Sequence, residues 1–164
     1  MATEISRIID ELSREHDGDP WHGSPLLQIL AGLPATQAAG RPLTDGHSIW
    51  EIVLHMTAWK NEVRRRLSGA PAADPEEGDW PEVGDVTDER WHDAQARLQR
   101  AQQQLISAIR ELPEERLYEP TKDPRNRATG TGVSSYVLLH GIVQHDVYHA
   151  GQIAILKKGS TRFR

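Results

Sequence analysis

His145 and His149, one helical turn apart in the run His145-Asp146-Val147-Tyr148-His149, are the residues of this chain whose types and spacing point most directly to chemistry. On a helix, residues at i and i+4 share a face with Cβ atoms about 5–6 Å apart, so both imidazoles can turn toward one cation. A transition-metal site needs at least a third donor. The segment Ser48-Ile49-Trp50-Glu51-Ile52-Val53-Leu54-His55 offers His55 on a largely apolar surface. Three neutral imidazoles leave one coordination position open, the arrangement of a catalytic rather than a closed structural site. The chain has no cysteine, so any bound metal must be held by nitrogen and oxygen.

On the last helical segment, His145 and His149 fall in the core-facing stripe with Leu138, Ile142, Gln152 and Leu156, while His55 shares its side with Ile52 and Trp59. An imidazole buried without a partner strands a polar group, so two stacked on one apolar face call for a shared ligand. Spacing alone leaves the plainer alternative open, that all three are hydrogen-bonded core histidines. Asp146 stands where the zinc-peptidase helix signature needs a glutamate, and the shorter acid reaches a metal-bound water poorly. It reads as a surface residue or a support for a ligand. Glu51 is a candidate catalytic base and, equally, the third residue of a capping box with Ser48. Gln152, Trp59, Trp21 and His22 are expected to contribute to a pocket or to support the ligands, with Trp80 near them. His140 should face elsewhere, about 140° around the helix from His145, and His16, His47 and His92 sit at ends, turns or polar faces.

These side chains need helices to position them, and the pattern is helical throughout. Ile5, Ile8, Ile9 and Leu12 predict a first helix over residues 3–16, stopped by Asp17-Gly18-Asp19-Pro20. Ser24-Pro25 predicts a cap and first turn for a short apolar helix through Leu26, Leu27, Ile29 and Leu30. Ser48 and Gly69 bound a long helix over 48–68, followed by a Pro-, Gly- and acid-rich connection over 69–85. Thr87 opens the next helix, whose Trp91, Ala94, Leu98, Ala101, Leu105, Ala108 and Leu112 form a bundle seam, and Pro113 ends it. Pro120, Asp123-Pro124 and Gly130-Thr131-Gly132 mark another connection. The final helix starts at Ser134 or Ser135 and should close at Gly159 after Lys157-Lys158. Four long helices without a strand pattern predict an all-α four-helix bundle with long connections.

The size, 164 residues and 18.4 kDa, fits one domain over 1–164 with a sizeable core. A net charge of −5 argues against a nucleic-acid partner, because phosphate affinity depends on Lys and Arg. The N-terminus lacks a basic region followed by an apolar stretch, and no apolar run spans a bilayer. The expectation is a cytoplasmic protein without membrane contact, acting on a small molecule; a homodimer is left open.

The segments running from His47 to Trp59 and from Leu139 to Ile153 resemble the two signature helices of the DinB-like and YfiT-like superfamily. The resemblance extends from Ile5 to Lys158. It implies an up-down-down-up four-helix bundle and a divalent metal held by three histidines, which map onto His55, His145 and His149. Zinc is the first expectation for that metal and nickel the second. Members vary in activity: some look like transferases or isomerases that use a low-molecular-weight thiol, others carry a metal-dependent hydrolase label. The resemblance thus implies a metal-dependent enzyme whose open position takes a thiol cofactor or water, with a non-enzymatic metal-stapled binding protein as the contrasting class.

Overall fold

A computed structural model describes residues 2–43, 45–123 and 133–160. Its helices are α1 (Glu4–His16), α2 (Leu26–Leu30), α3 (Ala35–Ala39), α4 (Ile49–Leu67), α5 (Asp88–Arg110) and α6 (Ser135–Ser160), with a 3₁₀ turn at Glu114–Tyr118. Hydroxyl caps set the starts of the long helices: Thr3 accepts from the Ser6 amide, Ser48 from Glu51 and Thr87 from Arg90. At Ser48 the Glu51 carboxylate accepts the return bond from the Ser48 amide, completing the capping box. Each cap satisfies donors that a helix start leaves unpaired.

Cross-helix contacts give the directions. Lys60 and His55 of α4 meet Asp146 and His149 of α6, so these two helices run antiparallel. Trp50 packs on Trp91 and Lys60 reaches Gln102, so α4 and α5 run parallel. Glu4 meets His140 and Gln102 bonds to Leu12, which sets α1 parallel to α6 and antiparallel to α5. The order is up-down-down-up. Parallel neighbours cannot be joined by a tight turn, which is why residues 68–87 form a long crossover between α4 and α5. The apolar core has two parts, one around Trp50, Val53, Trp91, Leu98 and Ile153, the other around Ile8, Leu12, Leu105, Ile109 and Leu139.

Three local expectations change. Pro25, not Ser24, caps α2, and no side chain bonds there. α3 has no counterpart in the sequence pattern, because its five residues span fewer than two turns, too few to repeat an apolar face. α6 runs through Gly159 to Ser160, whose hydroxyl bonds Lys157, and Ser134 supplies its first capping hydroxyl. Pro124 and Gly130-Thr131-Gly132, part of the second expected connection, lie outside the described residues. Among the described residues no strand occurs, and no helix is long and apolar enough to cross a membrane.

The last turn of α1 is unusual for a helix end. Glu15 and His16 are buried, His16 at the helix end expected from sequence, and Glu15 has no hydrogen-bond partner for either oxygen. Burial, with Asp146 adding to it against Lys60, pushes the Glu15 carboxyl up to about 8; burial and Lys60 push His16 down to about 4. The two groups act oppositely on stability. Native Glu15 holds its proton where the unfolded carboxyl has lost it, so its contribution is full below the unfolded value and is lost as pH rises toward 8. His16 contributes above its unfolded value and loses stability as pH falls toward 4. Between pH 6.5 and 8.5 the Glu15 effect dominates, and what remains of the histidine effects is shared by wild type and Glu15→Gln. Denaturant unfolding at these two pH values is expected to show, in wild type relative to Glu15→Gln, a loss on the order of 2 kcal/mol. Equal slopes in the two proteins would show that Glu15 is ionised in the fold.

Candidate metal centre

α4 presents His55 from its second turn, and α6 presents His145 and His149 from successive turns, across an antiparallel interface that brings the three together. Their ring centroids form a near-equilateral triangle with sides of 4.9 Å (His55–His145), 4.7 Å (His55–His149) and 4.4 Å (His145–His149). One ligand nitrogen from each lies within 4.8 Å of the other two. Among the described residues this is the one cluster of at least three His, Cys, Asp or Glu that meets that test. His55 and His149 are buried, and the His145 side chain is 24% exposed.

Hydrogen bonding on the far side of the rings decides what their near sides offer. His55 Nδ1 lies 2.6 Å from the Asp79 carbonyl oxygen, which can only accept, so Nδ1 carries the proton and a neutral ring has a bare Nε2. His149 Nδ1 lies 2.6 Å from Gln152 Oε1 and donates to it. His145 Nδ1 points toward Asp146 Oδ1 at 3.5 Å. The consequence appears where His145 Nε2 meets His55 Nε2 at 2.9 Å. With both Nδ1 atoms protonated and both rings neutral, two lone pairs face each other there, which a cation between them turns from repulsion into ligation. Tetrahedral zinc with bonds of about 2.0–2.1 Å would set its nitrogens about 3.3 Å apart, close to this spacing. The residues fit a metal.

Electrostatics agrees with the geometry. Burial lowers the His55 pKa, opposed by its bond to Asp79 and helped by repulsion from His145. Burial and then His145 push His149 down to about 4. Both rings are neutral at pH 7 and ready to ligate.

The crossover supplies the cover. Its start is pinned by Glu62, which bonds Arg65, Arg66 and the Ala73 amide, while Arg66 bonds the Ala73 carbonyl. Further along, Asp79 accepts from both His55 and Trp59 Nε1, and Trp80 stacks on His55 at 3.9 Å and on His47 at 3.5 Å. Trp59 closes another side, its ring 6.3 Å from those of His55 and His145. A cavity of about 330 Å3, lined by Leu43, Ile52, Ile155 and Leu156, reaches the centre's edge at His47 and Gln152.

The structure therefore brings Trp59, Gln152 and Trp80 to the triad. It does not bring Trp21 or His22: Trp21 is fully exposed, and His22 lines a cavity of about 530 Å3 that no member of the triad lines. Both belong to a turn, where nothing in the sequence fixes direction. Glu51 completes the capping box and pairs with Arg41 through both oxygens. Asp146 is wholly buried rather than on the surface. Sequence reasoning missed Asp79, because a backbone carbonyl acceptor has no residue signature; only its place beside Trp80 in the crossover was available. His140 faces away from the triad, as its spacing from His145 implied, and meets Glu4.

The chain matches the family model described as the DinB superfamily over residues 21–153. No curated protein and no solved structure matches it. The chain belongs to the DinB superfamily, a helical-bundle family, and carries within it three histidines placed to hold a metal ion.

His149→Ala is expected to lower bound metal at least tenfold, read by elemental analysis, while the far-ultraviolet circular dichroism stays near wild type because apolar seams carry the bundle. Unchanged stoichiometry would remove His149 from the ligand set. Since the two depressed rings carry no second proton at neutral pH, zinc affinity should be nearly flat from pH 8 to 7 and fall as acid protonates them. A fall of about tenfold per pH unit between 8 and 7 would contradict that ordering.

Proposed function

We propose that the protein is a metal-dependent enzyme in which His55, His145 and His149 hold one divalent cation, zinc first and nickel second. Its remaining position takes a low-molecular-weight thiol for transfer to a small electrophilic substrate. The observation that carries this reading is the convergence of one ring nitrogen from each of three imidazoles, with Nε2 of His55 and His145 2.9 Å apart and the Nδ1 atoms of His55 and His149 bonded outside the triangle. A cation there lowers the pKa of a bound thiol and supplies a thiolate near neutral pH.

The chain's own residues do the rest. Asp79 and Gln152 hold His55 and His149 in the tautomer that leaves Nε2 free. Trp59 and Trp80 form apolar walls that exclude water, strengthening electrostatic interactions within. His145, the part-exposed ligand, marks the side from which a substrate approaches. The apolar cavity beside Gln152 suits a nonpolar portion of substrate or thiol. A thiol deprotonated by coordination needs no separate base, and this favours thiol chemistry, because Glu51 is engaged with Arg41 and Ser48. Hydrolysis is the second reading, favoured by Asp79, whose half-exposed carboxylate lies 3.3 Å from His55 Nδ1 and is placed to move a proton.

Cobalt-substituted protein tests the choice. Low-molecular-weight thiols are expected to shift its visible spectrum, His55→Ala to abolish the shift, and thiol plus an activated aromatic electrophile to give turnover. A spectrum that answers small anions but no thiol would move the reading to hydrolysis. A spectrum untouched by either, with cobalt still bound, would leave the cation as a staple between α4 and α6.

A further inference from the structure

Behind His145, on the side away from the other two imidazoles, the bundle buries an ion pair that the metal cage does not itself require. Lys60 is wholly inaccessible, although lysine is among the residues least often buried. Its ammonium donates to Gln102 Oε1 of α5 at 2.7 Å and pairs with Asp146 Oδ2 of α6. Gln102 in turn donates through Nε2 to the Leu12 carbonyl of α1 at 2.8 Å. One polar chain thus touches all four long helices and ends at Asp146.

Asp146 is also wholly buried, and its second oxygen, Oδ1, has no hydrogen-bond partner. The atom nearest it in chemistry is His145 Nδ1, 3.5 Å away, which is likewise buried and unpartnered. A buried acceptor and a buried donor left facing each other satisfy both if they close by about half an ångström, to ordinary hydrogen-bond length. His145 has no other partner for Nδ1, whereas His55 has Asp79 and His149 has Gln152.

We propose that Asp146 is the positioning residue of His145, accepting a hydrogen bond from Nδ1–H so that a bare Nε2 faces the cation, and that Lys60 and Gln102 hold Asp146 in place for this purpose. The proposal rests on the metal reading above and adds to it: metal affinity is set in part by a charge pair that touches no metal. Outer partners of ligating histidines characteristically contribute 10–100-fold in affinity. The pair also explains why an expensive arrangement sits in the core, since replacing both members of a buried ion pair with apolar residues is often neutral or stabilising for folding.

The test separates support of the metal from support of the fold. In Lys60→Met/Asp146→Leu, the metal-free protein is expected to keep a cooperative melt, while the zinc dissociation constant, measured by competition with a chromophoric chelator, rises about 10–100-fold. Zinc affinity within about twofold of wild type in a folded double variant would overturn the proposal and make the pair purely structural. A second measurement needs no variant: in zinc-loaded wild type with ¹⁵N-labelled histidine, His145 is expected to be coordinated through Nε2 and to show a slowly exchanging Nδ1 proton. Coordination through Nδ1, or a Nδ1 proton exchanging as fast as that of a free imidazole, would overturn it. Absence of zinc binding to the wild type would instead defeat the metal reading itself, along with this inference.

Discussion

Burying three imidazoles at one point obliges a protein to account for six ring nitrogens, and the structure around α4 and α6 is organised by that obligation. Three nitrogens face outward, to the Asp79 carbonyl, to Gln152 and toward Asp146. Three face inward, two of them 2.9 Å apart. An unpaired buried polar group costs about 1–3 kcal/mol, so inward lone pairs with no shared partner are costly to a bundle of this size. A cation removes that cost at once. The same burial lowers the basicity of His55 and His149, which favours the neutral rings that ligation needs.

The topology makes the cage. Because α4 and α5 run parallel, the chain must travel the length of the bundle between them, and its return path crosses the end of the site. The crossover delivers Asp79 as a hydrogen-bond acceptor and Trp80 as an aromatic layer between His55 and His47. Its anchoring by Glu62 and Arg66 fixes where it begins, and Arg97 meets Glu77 shortly before the site. A long connection that would otherwise be dispensable surface thus becomes part of the cage, consistent with function concentrating on loops held by rigid elements.

Much of this was legible in the residues, for identifiable reasons. Capping hydroxyls and the three-four alternation of apolar residues located the long helices, and two histidines one turn apart located the cage. What escaped had no local pattern. α3 is too short to show periodicity, and the Asp79 carbonyl that accepts from His55 has no residue signature. Lys60 is instructive in another way. It falls on the buried stripe of α4 with Ile49, Ile52, Met56, Val63 and Leu67, just as Asp146 falls on that of α6 with Ile142, His149 and Ile153. Opposite charges on two facing apolar stripes announce a buried pair, but each alone reads as a solvated residue. Trp21 illustrates the reverse error: a large aromatic beside a histidine suggests a pocket, and the turn that carries it points it wholly into solvent.

The claim on which the account turns is that one cation is shared by these three imidazoles and one exchangeable ligand. X-ray absorption at the zinc edge of the loaded protein reads this directly. The account predicts three imidazole nitrogens at about 2.0–2.1 Å with a fourth light atom, and replacement of that atom by sulfur at about 2.3 Å when a thiol is added. A shell with fewer than three imidazoles, or a fourth protein ligand that no added thiol displaces, would contradict it.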